Sequence, residues 1–213
     1  MLNKFNLRIA QFASQEASRY TLTALLITSK ATVATDGSSL VWVSVPSTKS
    51  EDFPFANFPA GIPQPSDTFT PFLLNADAAK AIEKVIPKES GLTILNHVAV
   101  SQEKDAEGRL QTALCVTDLE TPQVFRPRPV SGTFPPYENL FSSKKPLRRV
   151  AVSARYLARI AKFAAEFSAR GEGMDALYIS IPQNEKDPIR FDCHRDNEEQ
   201  GMSALLMPMR AGE

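Results

Sequence analysis

The sequence predicts an α+β fold of repeated strand–helix–three-strand units, with antiparallel sheets backing amphipathic helices. Two observations carry this. Apolar residues recur at helical spacing in three separate stretches, and each stretch is followed by short, alternating, β-branched runs broken by turn residues. The clearest helix is expected over 153–170. Leu157, Ile160, Ala161, Ala164 and Phe167 form its apolar face, and Arg155, Arg159, Lys162, Glu166 and Arg170 its charged one. Ser153 suits the N-cap, where a hydroxyl accepts from an unpaired first-turn N–H. Gly171 and Gly173 stop the helix.

In chain order, residues 3–19 read as a first helix. Phe5, Ile9, Phe12 and Ala13 are its expected apolar face, and Lys4, Arg8, Gln11, Gln15 and Arg19 its polar one. Strands are expected at 20–27, 30–35 and 40–45, with Asp36-Gly37 turning between the last two. Residues 46–71 hold six prolines interleaved with Phe53, Phe55, Phe58 and Phe69, which predicts an ordered crossover lying on a sheet. A short strand, 72–74, leads to a second helix capped by Asn75 and ending near Ile86 before Pro87. Ala78, Ile82, Val85 and Ile86 are its expected apolar face, and Lys80, Lys84 and Lys88 lie along the other side.

Three strands follow at 92–101, 110–117 and 123–130. A polar, basic run, 142–149, is the expected boundary. A short strand at 150–152 precedes the third helix, and three strands follow at 175–181, 189–193 and 204–209. The expected domains are therefore 1–141, holding two repeat units and the 46–71 crossover, and 142–213, holding one. One helix with one small sheet is too little to bury both its faces, so units are expected to pair. Three units leave one to be paired by another chain, which predicts a homo-oligomer, with an even number of chains if the odd units pair with each other.

The 213 residues include 24 basic and 24 acidic side chains, so any charged partner must be read from local distribution rather than total charge. Two cysteines cannot form a disulfide framework, and no apolar run reaches membrane-spanning length. The amino terminus lacks a signal-peptide apolar region, and a cytoplasmic setting is expected. His97 and His194 are the only histidines and lie outside any metal-ligand spacing. No phosphate loop, nucleophile elbow or convergent acid–base pair is present, so neither a catalytic residue nor a cofactor is expected.

Three motifs in order carry a resemblance. Ala34-Thr35-Asp36-Gly37, with Leu40 after it and Arg19-Tyr20-x-Leu22 upstream, resembles the middle domain of the bacterial DNA polymerase III β sliding clamp. Gly132-Thr133-Phe134-Pro135-Pro136-Tyr137 resembles a segment near the end of that domain, and Leu205-Leu206-Met207-Pro208-Met209-Arg210 resembles the carboxyl end of the clamp chain. Residues 1–141 resemble one clamp domain, and 142–213 the second half of the next.

The resemblance implies a DNA-clamp-like fold and a processivity factor for replication or repair that encircles or tracks duplex DNA. It implies DNA-facing roles for Lys4, Arg8, Arg19, Lys80, Lys84, Lys88, Arg155, Arg159, Lys162 and Arg170, on helices lining a central hole. It also implies a pocket for partner peptides, built from Leu22, Thr35, Gly37 and Leu40 with Leu205, Met207, Pro208, Met209 and Arg210. The partners would be duplex DNA, bound without sequence preference, and polymerases or other proteins carrying clamp-binding peptides. The alternative is a clamp-derived regulator or oligomeric scaffold that does not encircle DNA.

Overall fold

A computed structural model of the chain describes residues 1–87, 92–141, 148–168, 176–184, 186–195 and 200–209. It separates into two compact units, Met1–Tyr137 and Glu138–Glu213. The elements of the first unit are β1 (Leu2–Asn3), α1 (Lys4–Arg8), β2 (Ala24–Ile27), β3 (Ala31–Thr35), β4 (Leu40–Ser44), β5 (Phe72–Asn75), α2 (Ala76–Val85), β6 (His97–Lys104), β7 (Leu110–Thr117) and β8 (Pro122–Phe125). The second unit holds α3 (Ala154–Ser168), β9 (Tyr178–Ser180), β10 (Ile189–Arg195) and β11 (Gln200–Leu206).

All strand pairings among the described residues are antiparallel, and the strand–helix–three-strand order occurs twice in the first unit. The first unit has two four-stranded sheets, ordered β4-β3-β2-β5 and β1-β6-β7-β8. The strand that leads each helix therefore sits in the other repeat's sheet. Leu2 lies opposite Val98, and Leu74 lies opposite Leu25. These four residues are fully buried in one core with Leu7 of α1 and Ala79 and Ile82 of α2. Burying each large aliphatic side chain contributes about 1.5–3 kcal/mol, so neither repeat is closed without the other.

The outer faces of both sheets are covered by proline-containing chain. Phe53, from the 46–71 crossover, packs with Met1, Ala99, Ala113 and Cys115 on the outside of the second sheet, and Phe55 stacks on Phe58 at 5.0 Å between ring centroids. Phe134 packs against Ala24, Val33 and Leu73 on the outside of the first sheet, edge-on to Tyr137.

Several local expectations are corrected. The helix expected over 3–19 stops at Arg8, continues as a 3-10 turn to Phe12, and opens at Ala13, whose backbone is extended. The Ser14 N–H donates to Leu22 O, and Ser14 Oγ accepts from the Glu16 N–H. Such local side-chain bonding competes with helix continuation. Residues 20–23 belong to a second 3-10 segment, so the strand expected from Tyr20 begins at Ala24.

The α1 face is also rotated from the expected one. Phe5 is 63% exposed, while Asn6 and Leu7 are buried. Asn6 is retained inside because its amide is fully used. Its Nδ2 donates to Thr32 Oγ1 (3.1 Å) and Ser44 O (3.0 Å), and its Oδ1 accepts from the Asn3 N–H (2.9 Å). On α2 the buried residues are Ala76, Ala79 and Ile82, with Ile86 just beyond, while Val85 is exposed. Asn75 caps this helix by accepting from the Asp77 and Ala78 N–H groups, as expected from its side chain.

Thr93–Asn96 form a 3-10 turn rather than strand. Residues 150–152 form no strand either, since their one ladder-like bond runs from the Met209 N–H to Ala151 O. In the second unit Leu157 and Ile160 of α3 pack on Ile189, Phe191 and Leu206.

Asn6 ties α1 to β3 and β4, so Asn6→Ala leaves buried acceptors unpaired. It is expected to lower stability by about 2–3 kcal/mol in urea unfolding, the cost of stranding buried polar groups.

Candidate functional site

Two sets of expected side chains are at issue, and each is described unit by unit. In the first unit, α1 and α2 bury one side in the common core and turn the other to solvent. Arg8 and Lys84 are exposed, each in the last turn of its helix, where a cation also meets the negative end of the helix dipole. Lys4 and Lys80 are half-buried, and Lys80 pairs with Asp77 at 3.7 Å.

In the second unit, Arg155, Arg159 and Lys162 are exposed along one side of α3. Their spacing of four and three residues stacks them on adjacent turns. Glu166 continues the stripe and lies 3.9 Å from Lys162, so the face is basic at its amino-terminal end and mixed beyond. Lys88 and Arg170 lie outside the described residues.

Arg19 departs from the helical set. Its Nε lies 3.1 Å from Glu16 Oε2, its Nη1 donates to Asp36 O at 3.1 Å, and its own backbone is non-helical. It fastens the β3–β4 turn instead of sharing a helix face with Lys4 and Arg8. The early end of α1 is the reason.

That turn contains the first unit's share of the expected pocket. Asp36 Oδ1 accepts from the Ser39 N–H (2.7 Å), the Ser38 N–H (2.9 Å) and Ser39 Oγ (3.1 Å). Thr35 Oγ1 accepts from the Gly37 N–H and donates to Ser39 O. Gly37 has φ +94°, and a Cβ there would stand 2.8 Å from Arg19 Nη1. Thr35 and Gly37 therefore have full occupations inside the turn. Leu40 packs against the Phe134 cluster, and Leu22 is half-buried.

The second unit's share divides between two clefts. Met207, Pro208 and Met209 line a concavity of about 750 Å³ with Val150, Ile181 and Pro182. Leu205 borders a separate one of about 680 Å³, between α3 and β11, with Tyr156, Phe163 and Met202. Met207 is 60% exposed, as an adaptable thioether at a binding wall would be. Arg210 lies outside the described residues.

Sequence reasoning did not find the opposite wall of the first cleft, formed by 148–151 and 181–182. Arg148 donates to Pro182 O and to Gln183 O, which holds that wall in place. The only sequence signal was the run of basic residues itself, because the Ala151–Met209 contact that closes the cleft joins residues far apart in the chain.

Neither histidine nor cysteine chemistry gathers among the described residues. His97 is buried between Thr48 Oγ1 and Thr93 O, each 3.0 Å away. Burial pushes the Cys115 thiol up to about 11, away from the thiolate that a nucleophile or metal ligand requires. No cluster of His, Cys, Asp and Glu able to hold a metal occurs among the described residues, and no described helix is long and apolar enough to cross a membrane.

Paired repeats with helices on one side of antiparallel sheets define a DNA-clamp-type fold, and comparison with solved structures agrees. The chain is similar to the β subunit from DNA polymerase of Streptococcus pyogenes, at 16% identity and TM-score 0.61, over 97% of this chain and 47% of that one. It is similar to the DNA polymerase III β subunit of Pseudomonas aeruginosa, also at 16% identity, with TM-score 0.58 over 99% and 51%. The Borrelia burgdorferi β subunit, solved with a natural product, matches at 11% and 0.58 over 96% and 44%. The chain thus spans about half the length of these clamps. No protein-family profile and no curated protein matches it.

The Ser39 and Ser38 N–H groups hold the Asp36 carboxyl below the usual carboxylate value. A depressed folded value adds stability above the unfolded value, and that stability is lost as pH falls through the folded one. Asp36→Asn is therefore expected to flatten the acid limb of a stability-against-pH curve and leave the neutral region's slope unchanged.

Proposed function

We propose that this chain is a sliding-clamp-like processivity factor that works as a homo-oligomer. It associates with duplex DNA through helix-borne basic side chains and receives partner peptides beside its carboxyl-terminal strand. One observation carries the reading: Arg155, Arg159 and Lys162 stand exposed in a row on the helix layer of a clamp-type fold. Duplex DNA presents one charge per about 1.7 Å of axis, so such a row gains by neutralising phosphates whatever the base sequence. Contacts of this kind position a protein without specifying a site, which suits a molecule that tracks. Arg8 and Lys84 extend the same chemistry to the first unit, and no catalytic step is assigned.

Reversing all three side chains to Glu is the direct test. All are exposed, so the fold is expected to survive. Binding to a random-sequence duplex is expected to fall sharply, and the wild-type slope of log K against log salt is expected to exceed the variant's by about 1 for each phosphate contact removed. Unchanged DNA binding would show that the stripe is merely solvated.

A second reading, a clamp-derived regulator that binds partner peptides without encircling DNA, is favoured by the cleft at Met207–Met209. Apolar, adaptable walls of this size suit a peptide's leucine and phenylalanine side chains. In calorimetry, Met207→Glu is expected to abolish binding of a clamp-binding peptide while leaving the thermal transition in place, since Met207 is largely exposed. Undiminished affinity would remove Met207 from the pocket.

A further inference from the structure

Association with duplex DNA uses the charges of α3 and leaves its rings idle. Leu157 and Ile160 pack on Ile189, Phe191 and Leu206, and Ala164 is buried, which fixes how the helix is turned. With about 3.6 residues per turn, Arg155, Arg159 and Lys162 fall on the side away from the packed residues. Tyr156 and Phe163 fall between those two sides. Both rings line the cleft of about 680 Å³ between α3 and β11, which is separate from the one at Met207–Met209.

Packing does not require either ring. Tyr156 and Phe163 stand third and tenth after Ser153, and α2 has Ala78 and Val85 at the same places after Asn75. A helix of the same kind thus folds with small aliphatic side chains there. Neither ring belongs to the apolar cluster of its own unit. Phe163 has Phe167 beside it, at 6.2 Å between centroids and 27° between planes, and is still 56% exposed. Tyr156 is 54% exposed. Rings left this far in water add little to folding through burial.

We propose that α3 and β11 form a platform for single-stranded nucleic acid, with phosphates along Arg155, Arg159 and Lys162 and bases laid on Tyr156 and Phe163. A single strand presents charge along one edge and flat apolar faces along the other, and the helix offers a matching pair of parallel tracks. The two rings are seven residues apart, about 10 Å along the axis, so they meet different bases of one strand. Met202 and Leu205 of β11 give those bases an apolar wall on the far side of the cleft. Every base has a π face, so contact of this kind tolerates any sequence. A duplex keeps its base faces stacked inside and can use the charges alone. An acidic peptide would meet the same cations, but its apolar anchors need enclosed, desolvated seats. Tyr156, Phe163 and Leu205 are each more than half exposed and enclose nothing. Glu166, 3.9 Å from Lys162, ends the basic track.

The platform rests on the proposed function only for its cations meeting phosphates, and the use of the rings is what it adds. Fluorescence anisotropy of the full chain with a labelled oligothymidylate of about 16 nucleotides, read beside a labelled duplex, tests the two separately. The wild type is expected to bind the single strand. Tyr156→Leu and Phe163→Leu are each expected to weaken that binding by about fivefold or more, the low end of what one stacked base contributes. Both are expected to leave duplex binding within about twofold, since a duplex meets only the charges. Leucine keeps apolar bulk without a ring, so a surface seeking apolar contact alone would not register the change. Phe163→Trp restores a ring and is expected to hold the wild-type affinity. Trp42→Leu, at an exposed ring on β4 of the first unit, is expected to alter neither affinity. A thermal melt shows which variants are folded, and either leucine variant serves if the other is not. An oligouridylate of the same length tells DNA from RNA, and ring-dependent binding of either sustains the proposal. Single-strand binding indifferent to both rings, or duplex binding with none to the single strand, overturns it and leaves the duplex reading standing. Capture of an acidic, phenylalanine-containing peptide in place of the oligonucleotide overturns it as well. Ring-dependent binding of the single strand without the duplex sustains it and removes the duplex reading instead.

Discussion

The constraint on which this structure depends is that one strand, one helix and three strands make a single apolar side with nothing to close it. In the first unit the solution is exchange. Each repeat lends the strand before its helix to the other repeat's sheet, and the residue next to the cap, Leu2 or Leu74, becomes the seam. The exchange fixes register, because slipping one of these short strands by one residue would turn its leucine out of the shared core to the opposite face of the sheet. It also sets the two helices side by side on one core, which leaves their far sides, with Arg8 and Lys84, facing solvent together.

Much else follows from that joint. With both sheets covered by helices on one side, the other sides need cover as well, and the chain provides it with proline-containing segments. The prolines keep these segments from competing for sheet edges, and the aromatic residues between them supply the apolar contact. Phe53 and Phe134 do equivalent work on the two sheets. The Thr35–Ser39 turn is held by its own polar side chains and by Arg19, so a short loop reaches a fixed shape without apolar burial.

The fold class was legible because periodicity reports which side of an element is buried. The long helix α3 and the strands β3, β4 and β7 lie close to where alternation and helical spacing place them. The first helix was misread because Asn6, not Phe5, is inside, and only the amide's partners on β3 and β4 make that favourable. Those partners are distant in sequence and leave no local trace. The exchange of leading strands was illegible for the same reason, since a strand's pattern does not name its neighbour. Of the candidate sites, the basic stripe of α3 could be read from spacing alone, and the methionines of β11's far end from a motif. The facing wall at Val150 and Ile181 could not, because it is made by tertiary contact. Arg19 has the charge expected of its set but spends it on Glu16 and the turn.

If pairwise completion is what holds the two repeats of the first unit together, loosening one of them loosens both. Hydrogen–deuterium exchange of the full chain, read by mass spectrometry for the wild type and for Leu74→Ala, measures this directly. The account predicts faster exchange in β2, whose Leu25 lies opposite Leu74, and a matching acceleration in β6 of the other sheet. Faster exchange confined to β2, with β6 as protected as in the wild type, would contradict it, since each repeat would then be stable by itself.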